Sequence, residues 1–276
     1  MADGTTPSVK GSTAIAPRTT PGQTAVAKRP AKGPVVRLGI DIGGTGIKGA
    51  PVDLGSGDLT GERFRLDTPK GAHPDDVDLV VKQVADAFDI DGPIGITFPG
   101  VVMHGTVLTA ANMSRAWANV DIAARFGSLL GRPVTAMNDA DAAGVAEMTF
   151  GVGAGRRGVV IMITLGTGIG CALFNDGVLV PNTELGHLEL DGQDAELIAS
   201  GSARDRGELS WDDYGKRVQQ YLRRLDALMW PDLVIIGGGM SKKADRYLPR
   251  VKVRCEVAVA ELLNNAGIVG AALLAR

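Results

Sequence analysis

The chain has 276 residues, of which 45% are hydrophobic, 22% are charged and only 4% are aromatic. This composition is typical of a globular protein with one large domain or two lobes. The scarcity of aromatic side chains argues against nucleic-acid binding by base stacking. Cys171 and Cys255 form no Cys-x-x-Cys pair, which predicts neither a disulfide framework nor a zinc site. No apolar run approaches the ~18 residues of a membrane span, so we expect a cytoplasmic protein without a membrane partner.

Residues 1–34 differ from the rest of the chain in charge and composition. They hold five of the 29 basic residues but one of the 31 acidic residues, which leaves an acidic body. They are rich in Pro, Thr, Ala and Gly and show no apolar periodicity, so we expect a disordered tail. Contact with a polyanion is the alternative to a solvated extension.

From Val35 onward, short apolar strand patterns alternate with helical patterns, which predicts an α/β fold. The predicted strands are 35–41, 47–53, 63–67, 93–98, 133–137, 158–165, 170–175, 178–181 and 232–237. The predicted helices are 74–88, 120–130, 141–150, 194–202, 211–229, one after Ser241, and 267–275.

One sequence element recurs in the two halves of the chain. Gly44-Thr45-Gly46-Ile47 reappears as Gly166-Thr167-Gly168-Ile169, each time between two apolar strand patterns. This repetition predicts a duplicated sheet unit whose two hairpins face each other across a central cleft. Chance recurrence in a chain with 38 glycines is the alternative.

Both hairpins are candidates for phosphate binding. Gly44, Gly46 and Gly49 satisfy GxGxxG, but a dinucleotide fingerprint opens a helix, whereas residues 47–53 continue as a strand. Glycine amides approach an anion closely and the Thr45 hydroxyl adds a donor, so we interpret the turn as a phosphate cradle. A plain hairpin turn is the alternative.

Two further groups of polar residues are candidates for binding a substrate. Asn138-Asp139 follows a predicted strand and opens a helix, where Asp139 would accept a hydrogen bond from a substrate hydroxyl. An Asx helix cap is the alternative. The spacing of Glu184, His187 and Glu196 could indicate a metal site, but HExxH is absent and the chain has only three histidines. We therefore interpret these side chains as donors and acceptors for sugar hydroxyls. An ordinary polar loop is the alternative here.

Five separated motifs together resemble the ROK sugar kinases, over about residues 36–276. They are DIGGTGIKGA, NDAD, LGTGIG, ELGHLE and IIGGGMS, and they stand in the order found in that family. Within it, TFPGVV, TAAN and the final NNAGIVGAA are most similar to the subgroup that uses polyphosphate or ATP as phosphoryl donor. Many family members carry a cysteine-rich zinc knuckle after the ELGH histidine, whereas residues 188–196 here contain no cysteine. We therefore expect no structural zinc.

The resemblance implies a two-lobed, actin-like or hexokinase-type ATPase fold. We expect a small lobe of residues 35–138, a larger lobe of residues 139–264, and a closing helix, 265–276, that packs back on the small lobe. The implied activity is transfer of a terminal phosphoryl group from polyphosphate, with ATP left open as a second donor, to the 6-hydroxyl of glucose. It further implies a magnesium ion and a homodimer.

Residue by residue, the resemblance assigns Asp139 as the general base. The implied glucose contacts are Asn112, Asn138, Asp139, Glu184, His187 and Glu196. The implied phosphate-binding residues are Asp41, Gly43, Gly44, Thr45, Lys48, Gly166, Thr167, Gly168, Gly238 and Gly239, and Asp41 is also the candidate that holds Mg²⁺ through water.

Three alternative functions remain beside this interpretation. An ATP-only glucokinase differs in its donor alone. A ROK repressor needs an N-terminal helix-turn-helix, for which residues 1–34 show no helical periodicity. A structural actin-like protein has no use for the sugar-binding residues.

The route of the polyphosphate chain is predicted from local charge. Lys242, Lys243 and Arg246 place three cations within five residues of a helix start, which favours an anion. A solvated surface helix is the alternative. Arg156-Arg157 and the pair Arg204 and Arg206 are the other candidates.

Overall fold

The computed structural model describes residues 33–275, so the predicted tail lies outside the described residues except for its last two. From Pro34 onward the described residues belong to one unit. Its strands are β1 (Val36–Ile42), β2 (Gly46–Asp53), β3 (Phe64–Asp67), β4 (Ile94–Phe98), β5 (Val102–Met103), β6 (Thr106–Val107), β7 (Val134–Asn138), β8 (Val159–Leu165), β9 (Ile169–Asn175), β10 (Val178–Val180), β11 (Glu189–Leu190), β12 (Gln193–Asp194), β13 (Leu233–Gly237) and β14 (Glu256–Val259). Its α-helices are α1 (Pro74–Asp86), α2 (Ile122–Leu130), α3 (Asp139–Phe150), α4 (Ala195–Ala199), α5 (Gly201–Arg206), α6 (Trp211–Met229), α7 (Ala244–Tyr247) and α8 (Ala266–Leu274). Within residues 33–275, no helix is both long and apolar enough to cross a bilayer.

Ten of the strands form two five-stranded sheets with the same topology. The first has the order β3-β2-β1-β4-β7 and the second the order β10-β9-β8-β13-β14. In each sheet an antiparallel hairpin, β1–β2 or β8–β9, continues into two parallel strands. The α/β fold with a duplicated sheet unit is therefore confirmed, and the repeated Gly-Thr-Gly turns occupy equivalent places in the two sheets.

The strand next to each hairpin in its sheet, β4 in the first and β13 in the second, is covered on both faces. All five residues of β4 and all five of β13 are buried. Parallel strands with helices on both faces have this continuous apolar pattern. The first hairpin turn follows β1 and α3 follows β7, both of which belong to the same parallel set as β4, and the second hairpin turn follows β8, which runs parallel to β13.

Two helices rich in small residues, α3 and α8, cross between the sheets. A Cβ at Gly270 of α8 would collide with the backbone carbonyl of Ala142 in α3. A Cβ at Gly39 of β1 or Gly95 of β4 would likewise collide with the α8 backbone. The closing helix thus lies directly on the first sheet and against α3. Division of the unit into lobes of residues 35–138 and 139–264 stays a prediction.

Several predicted boundaries differ from the structure for local reasons. Helix α3 begins at Asp139 rather than residue 141, because Asn138 already caps it. The predicted helix 194–202 is two helices, since the extended backbone of Ser200 separates them and its hydroxyl caps α5. The helix predicted after Ser241 is a 3₁₀ turn, Gly239–Lys243, followed by the single turn of α7. Strand β14 was not predicted.

Candidate active site

A cleft of about 780 Å³ lies between the two hairpin turns. Every predicted site residue except Thr45 lines it. The side chain of Thr45 is exposed, and its carbonyl instead accepts a hydrogen bond of 2.9 Å from Arg65. The cleft therefore brings the predicted phosphate and sugar residues together, while their roles stay predictions.

The two hairpin turns present free backbone amides to this cleft. Gly43 donates to the carbonyl of Gly46, and Gly166 donates to that of Gly168, both at 3.0 Å. These bonds fold each turn back on itself. Three amides that follow on the cleft wall donate no hydrogen bond to the described part of the chain; they belong to Gly44, Thr167 and Gly168. The amide of Thr45, outside the cleft wall, is likewise unpaired among the described residues. Such clusters of unpaired N–H groups are typical of an anion site.

Asp41 lies at the end of β1, beside the first turn. Its carboxylate accepts a hydrogen bond of 2.7 Å from the hydroxyl of Thr97, a buried residue of β4. The ammonium group of Lys48 lies 2.9 Å from the other carboxylate oxygen and also donates to the carbonyl of Asn264 at 3.3 Å. Gly267 leaves the space that Asp41 fills, because a Cβ there would contact the carboxylate. The carboxylate is thus fixed at the cleft wall, with a cation next to it.

Asp139 is the first residue of α3 and faces the cleft. Its carboxylate accepts a hydrogen bond of 2.8 Å from the amide of Ala140. Loss of solvent around the carboxylate, together with the negative charge of Asp41, raises the pKa of Asp139 from 3.8 to about 7. A carboxylate with a pKa near neutrality is suited to take up a proton from a hydroxyl.

Asn138, which precedes it, has a structural role that the sequence left as an alternative. Its side-chain oxygen caps α3 by accepting from the amide of Asp141 at 2.9 Å, and its NH₂ group donates to the carbonyl of Gly100 at 2.9 Å. These bonds fix the start of α3 and hence Asp139. The amide retains one N–H and one lone pair, and contact with a sugar through them stays a prediction.

Glu184, His187 and Glu196, which we call the sugar cluster, lie together on the second sheet's side of the cleft. His187 Nε2 is 3.7 Å from the Glu184 carboxylate. Burial raises the pKa of Glu184, which the charge of His187 partly offsets. Glu196 accepts a hydrogen bond of 2.9 Å from the amide of Ile169, and a Cβ at Gly168 would collide with its carboxylate. Glu196 therefore contacts the second hairpin at Gly168 and Ile169 and also lines the cleft.

Asp194 is a residue of this site that the sequence analysis missed. One of its oxygens caps α4 through the amide of Glu196 at 2.8 Å. The other lies 2.7 Å from Nδ1 of His187, and this hydrogen bond raises the pKa of His187. The bond also directs Nε2 of the imidazole toward the cleft. An Asp immediately before a helix was the available signal, and it predicts the cap but not the contact with His187.

Asp141 and Asn182 form a second arrangement that the sequence did not reveal. Asp141 is almost fully buried; one of its oxygens accepts from the amide of Asn182 at 2.7 Å, and the other has no partner among the described residues. The side chain of Asn182 makes two hydrogen bonds of 3.0 Å to the backbone of Val102. Asp141 thereby fixes the segment that leads to Glu184. Loss of solvent raises its pKa from 3.8 to about 6.

Asn112 and the Gly238–Gly239 turn complete the lining of the cleft. Asn112 has a φ of 57° and packs against Gly44, where an added Cβ would lie 3.0 Å from its own Cβ. Gly238 has a φ of 74° and lies so close to the backbone of Leu165 that a Cβ does not fit. Both contacts place these residues beside the two hairpin turns.

The charged groups in the cleft fit a magnesium ion that is bound mainly through water and phosphate oxygens. Across residues 33–275 no group of three or more His, Cys, Asp or Glu side chains is arranged to hold a metal ion. Asp41 is a single fixed carboxylate beside free amides that suit phosphate oxygens. Mg²⁺ commonly keeps several waters and binds through one or two carboxylates and its substrate's phosphates. The donor set fits an ion that arrives with the phosphoryl donor.

Comparison with known proteins places the chain among sugar kinases. The model of the ROK family matches residues 37–207. Polyphosphate glucokinase of Mycobacterium tuberculosis is 46% identical over 237 residues, which are 86% of this chain and 89% of that protein. Polyphosphate glucokinase of Mycobacterium leprae is 44% identical over 266 residues, or 95% of this chain and 80% of that protein.

Solved structures show the same similarity in three dimensions. The inorganic polyphosphate/ATP-glucomannokinase of Arthrobacter sp. strain KM is 52% identical, with a TM-score of 0.83 over 86% of this chain and 97% of that chain. A ROK family glucokinase of Streptomyces griseus, solved with glucose and AMPPNP, is 26% identical, with a TM-score of 0.76 over 88% of this chain and 99% of that chain.

Proposed function

The chain belongs to the ROK family, and on that premise we propose that it is a polyphosphate-dependent glucokinase, which transfers the terminal phosphoryl group of inorganic polyphosphate to the 6-hydroxyl of glucose. The observation that carries the proposal is the position of Asp139 in one cleft with the sugar cluster and with both amide-bearing hairpins. The names of the mycobacterial and Arthrobacter relatives support glucose as acceptor and polyphosphate as donor.

Asp139 acts as the general base. As the 6-oxygen of glucose attacks the terminal phosphorus, its proton passes to the Asp139 carboxylate, while the bond from phosphorus to the bridging oxygen of polyphosphate breaks. The raised pKa suits both halves of the cycle, since the group accepts a proton during attack and releases it to solvent near neutral pH. Asn138 holds Asp139 in place through its cap on α3.

The sugar cluster orients glucose for that attack. Glu184 and Glu196 accept hydrogen bonds from sugar hydroxyls. Because Nδ1 of His187 donates to the Asp194 carboxylate, Nε2 accepts from a sugar hydroxyl when the imidazole is neutral and donates to one when it is protonated, the form that Asp194 favours. Fixing the sugar in line with the donor supplies much of the rate enhancement of a kinase. Asn112 and Asn138 are further candidate contacts, and closure of the two sheets over the sugar would exclude water as a competing acceptor.

The two hairpins bind the transferring phosphoryl group and its neighbours. Their free amides donate hydrogen bonds to the equatorial oxygens, and Lys48 adds a positive charge beside Asp41. Asp41 would hold a magnesium ion through its waters, and that ion would supply positive charge to offset the negative charge on the phosphate oxygens. ATP is a candidate second donor, because the S. griseus relative was solved with AMPPNP.

Initial rates test this proposal. Glucose 6-phosphate formation is measured at saturating glucose with long-chain polyphosphate and, separately, with ATP. We expect turnover with polyphosphate at a rate equal to or above that with ATP. Turnover with ATP alone would contradict the proposed donor, and the absence of glucose phosphorylation with either donor would contradict the proposed acceptor.

A further inference from the structure

We propose that a basic surface beside the second hairpin holds the polyphosphate chain beyond the phosphates that react. This surface, here named the basic track, consists of Arg204, Arg206, Lys242, Lys243 and Arg246. The inference rests on the proposed function, since it supplies the binding site of that function's donor. It joins two of the three routes that the sequence left open and excludes the third, Arg156-Arg157.

Both arms of the basic track start at the wall of the cleft. Helix α5, which carries the two arginines at 204 and 206, begins at Gly201, and the amide of Ser202 donates to the carbonyl of Gly166 at 3.2 Å. The 3₁₀ turn that carries both lysines begins at Gly239, itself part of the cleft wall. The first residues of both arms therefore lie next to the second hairpin turn, where a chain leaving the cleft would meet them.

Trp211 joins the two arms into one surface. The guanidinium of Arg204 lies 3.9 Å from the centre of its ring, and that of Arg246 lies 5.3 Å away. The ring stacks on Tyr247 at 6.4 Å between centroids, and Tyr247 is fully buried. Cation–π contacts with an anchored ring hold both guanidinium groups near one place. The track thus has an anchored centre, and its two lysines are exposed to solvent.

The charge of this surface is opposite to that of the rest of the chain. Helix α5, the 3₁₀ turn and α7 together contain five cations and two carboxylates, Asp205 and Asp245, whereas residues 35–276 have more acidic than basic groups. Asp205 pairs with Arg204 at 2.9 Å. The other four cations of the track make no ion pair with any residue in 33–275. They are available to an external anion.

The competing route through Arg156 and Arg157 is occupied by internal contacts. Arg156 makes two hydrogen bonds to the carboxylate of Glu256, at 2.7 and 3.0 Å, and Arg157 donates to the carbonyl of Asp176 at 3.1 Å. These groups connect β14 and the turn after β9 to the segment before β8. A phosphate would have to displace those partners, whereas the basic track offers cations without such competition.

The chemistry of the occupant follows from the number of cations on the basic track. Polyphosphate carries a negative charge on every unit, so a long chain held at the hairpins continues over both arms. ATP ends its charge at the third phosphate, and tripolyphosphate is equally short. Each phosphate–cation contact releases condensed counterions, which makes affinity fall with salt in proportion to the number of contacts. The track should therefore act only on long donors.

The test compares Lys242→Ala/Lys243→Ala with a matched control, Lys82→Ala/Lys252→Ala, which removes two exposed lysines elsewhere on the surface. The KM for long-chain polyphosphate, tripolyphosphate, ATP and glucose is measured over a series of salt concentrations. Removing two contacts should lower the slope of log KM against log salt for the long chain by roughly one to two. The other three KM values and the control variant should match the wild type.

Two results would overturn the basic track while leaving the proposed function intact. One is an unchanged salt slope for long-chain polyphosphate in the double variant. The other is an equal rise in KM for ATP or tripolyphosphate, which would place these lysines at the reacting phosphates instead. Failure of the wild type to use polyphosphate at all would contradict the proposed function itself, so the two failures are distinguishable. Both substituted lysines are exposed, and the unchanged glucose KM reports that the variant is folded.

Discussion

Asp141→Asn should change how stability depends on pH. The wild-type carboxylate is almost fully buried, and its pKa is raised from 3.8 to about 6 by loss of solvent. The folded state therefore holds the proton more tightly than the unfolded state, and ionisation of Asp141 destabilises the fold. That cost is absent below the unfolded pKa, grows as pH rises and is complete above the folded pKa. Asparagine keeps an oxygen for the amide of Asn182 and removes the charge.

The size of the effect follows from the shift. The rise in the pKa of Asp141 lowers the free energy of unfolding by about 3 kcal/mol once the carboxylate is ionised in both the folded and the unfolded state. About 2 kcal/mol of this loss occurs between pH 4.5 and pH 8. The NH₂ group of asparagine replaces an oxygen that has no partner among the described residues, which adds an offset that does not vary with pH. The prediction therefore concerns how the stability difference between Asp141→Asn and wild type changes with pH, and not its value at any one pH.

Denaturant unfolding at pH 4.5, 6 and 8 measures this signature. The stability of Asp141→Asn relative to wild type should rise by about 2 kcal/mol over this range, while Asp91→Asn, a substitution at an exposed carboxylate, should show no such trend. A difference between variant and wild type that stays constant from pH 4.5 to pH 8 would refute the reasoning.

Three further predictions concern the cleft. The kcat/KM for glucose should rise with pH through a limb at about 7, because Asp139 must be ionised to act as base. Asp41→Asn should move this limb to lower pH, because it removes a nearby negative charge. An unmoved limb would exclude Asp41 as a cause of the raised pKa of Asp139. After exhaustive chelation, Mg²⁺ alone should restore full activity, whereas activity that depends on stoichiometric zinc would contradict the interpretation of the sugar cluster as free of metal. Asp194→Asn should lower the pKa of His187 in an NMR titration and raise the KM for glucose, since the carboxylate at 2.7 Å supports the charged imidazole; an unchanged titration would contradict this coupling.

The sequence predicted the sheets well because their pattern is local. Strands such as β4 and β13 are continuous apolar runs, and the two Gly-Thr-Gly turns announce hairpins by composition alone. The helix predicted over 194–202 was wrong because Ser200, an ordinary residue in a helical pattern, instead caps a new helix. Strand β14 was not predicted because it is short and half-exposed, and because its residues form a strand by pairing with β13, a separate element of the chain.

The residues of the cleft were predicted more completely from similarity to family motifs than from the spacing of residues along the sequence. Similarity to the family motifs identified the candidate residues, and the structure brings all of them except Thr45 to the same cleft. The contacts of Asp194 with His187 and of Asp141 with Asn182 depend on how loops meet across 7 and 41 residues. Neither Asp stands in a pattern that sets it apart from a helix cap or a surface carboxylate. The homodimer stays a prediction.

Turnover of Asp139→Asn with polyphosphate and glucose, measured together with the Kd for glucose, tests the proposed chemistry most directly. The amide retains the size of the carboxylate and its hydrogen bond with Ala140, but it does not accept the proton of the 6-hydroxyl. We predict that turnover falls by about 10²- to 10⁴-fold, the usual contribution of a general base, while the Kd for glucose stays within a few-fold of wild type. Turnover within a few-fold of wild type would contradict the assignment of Asp139 as the base.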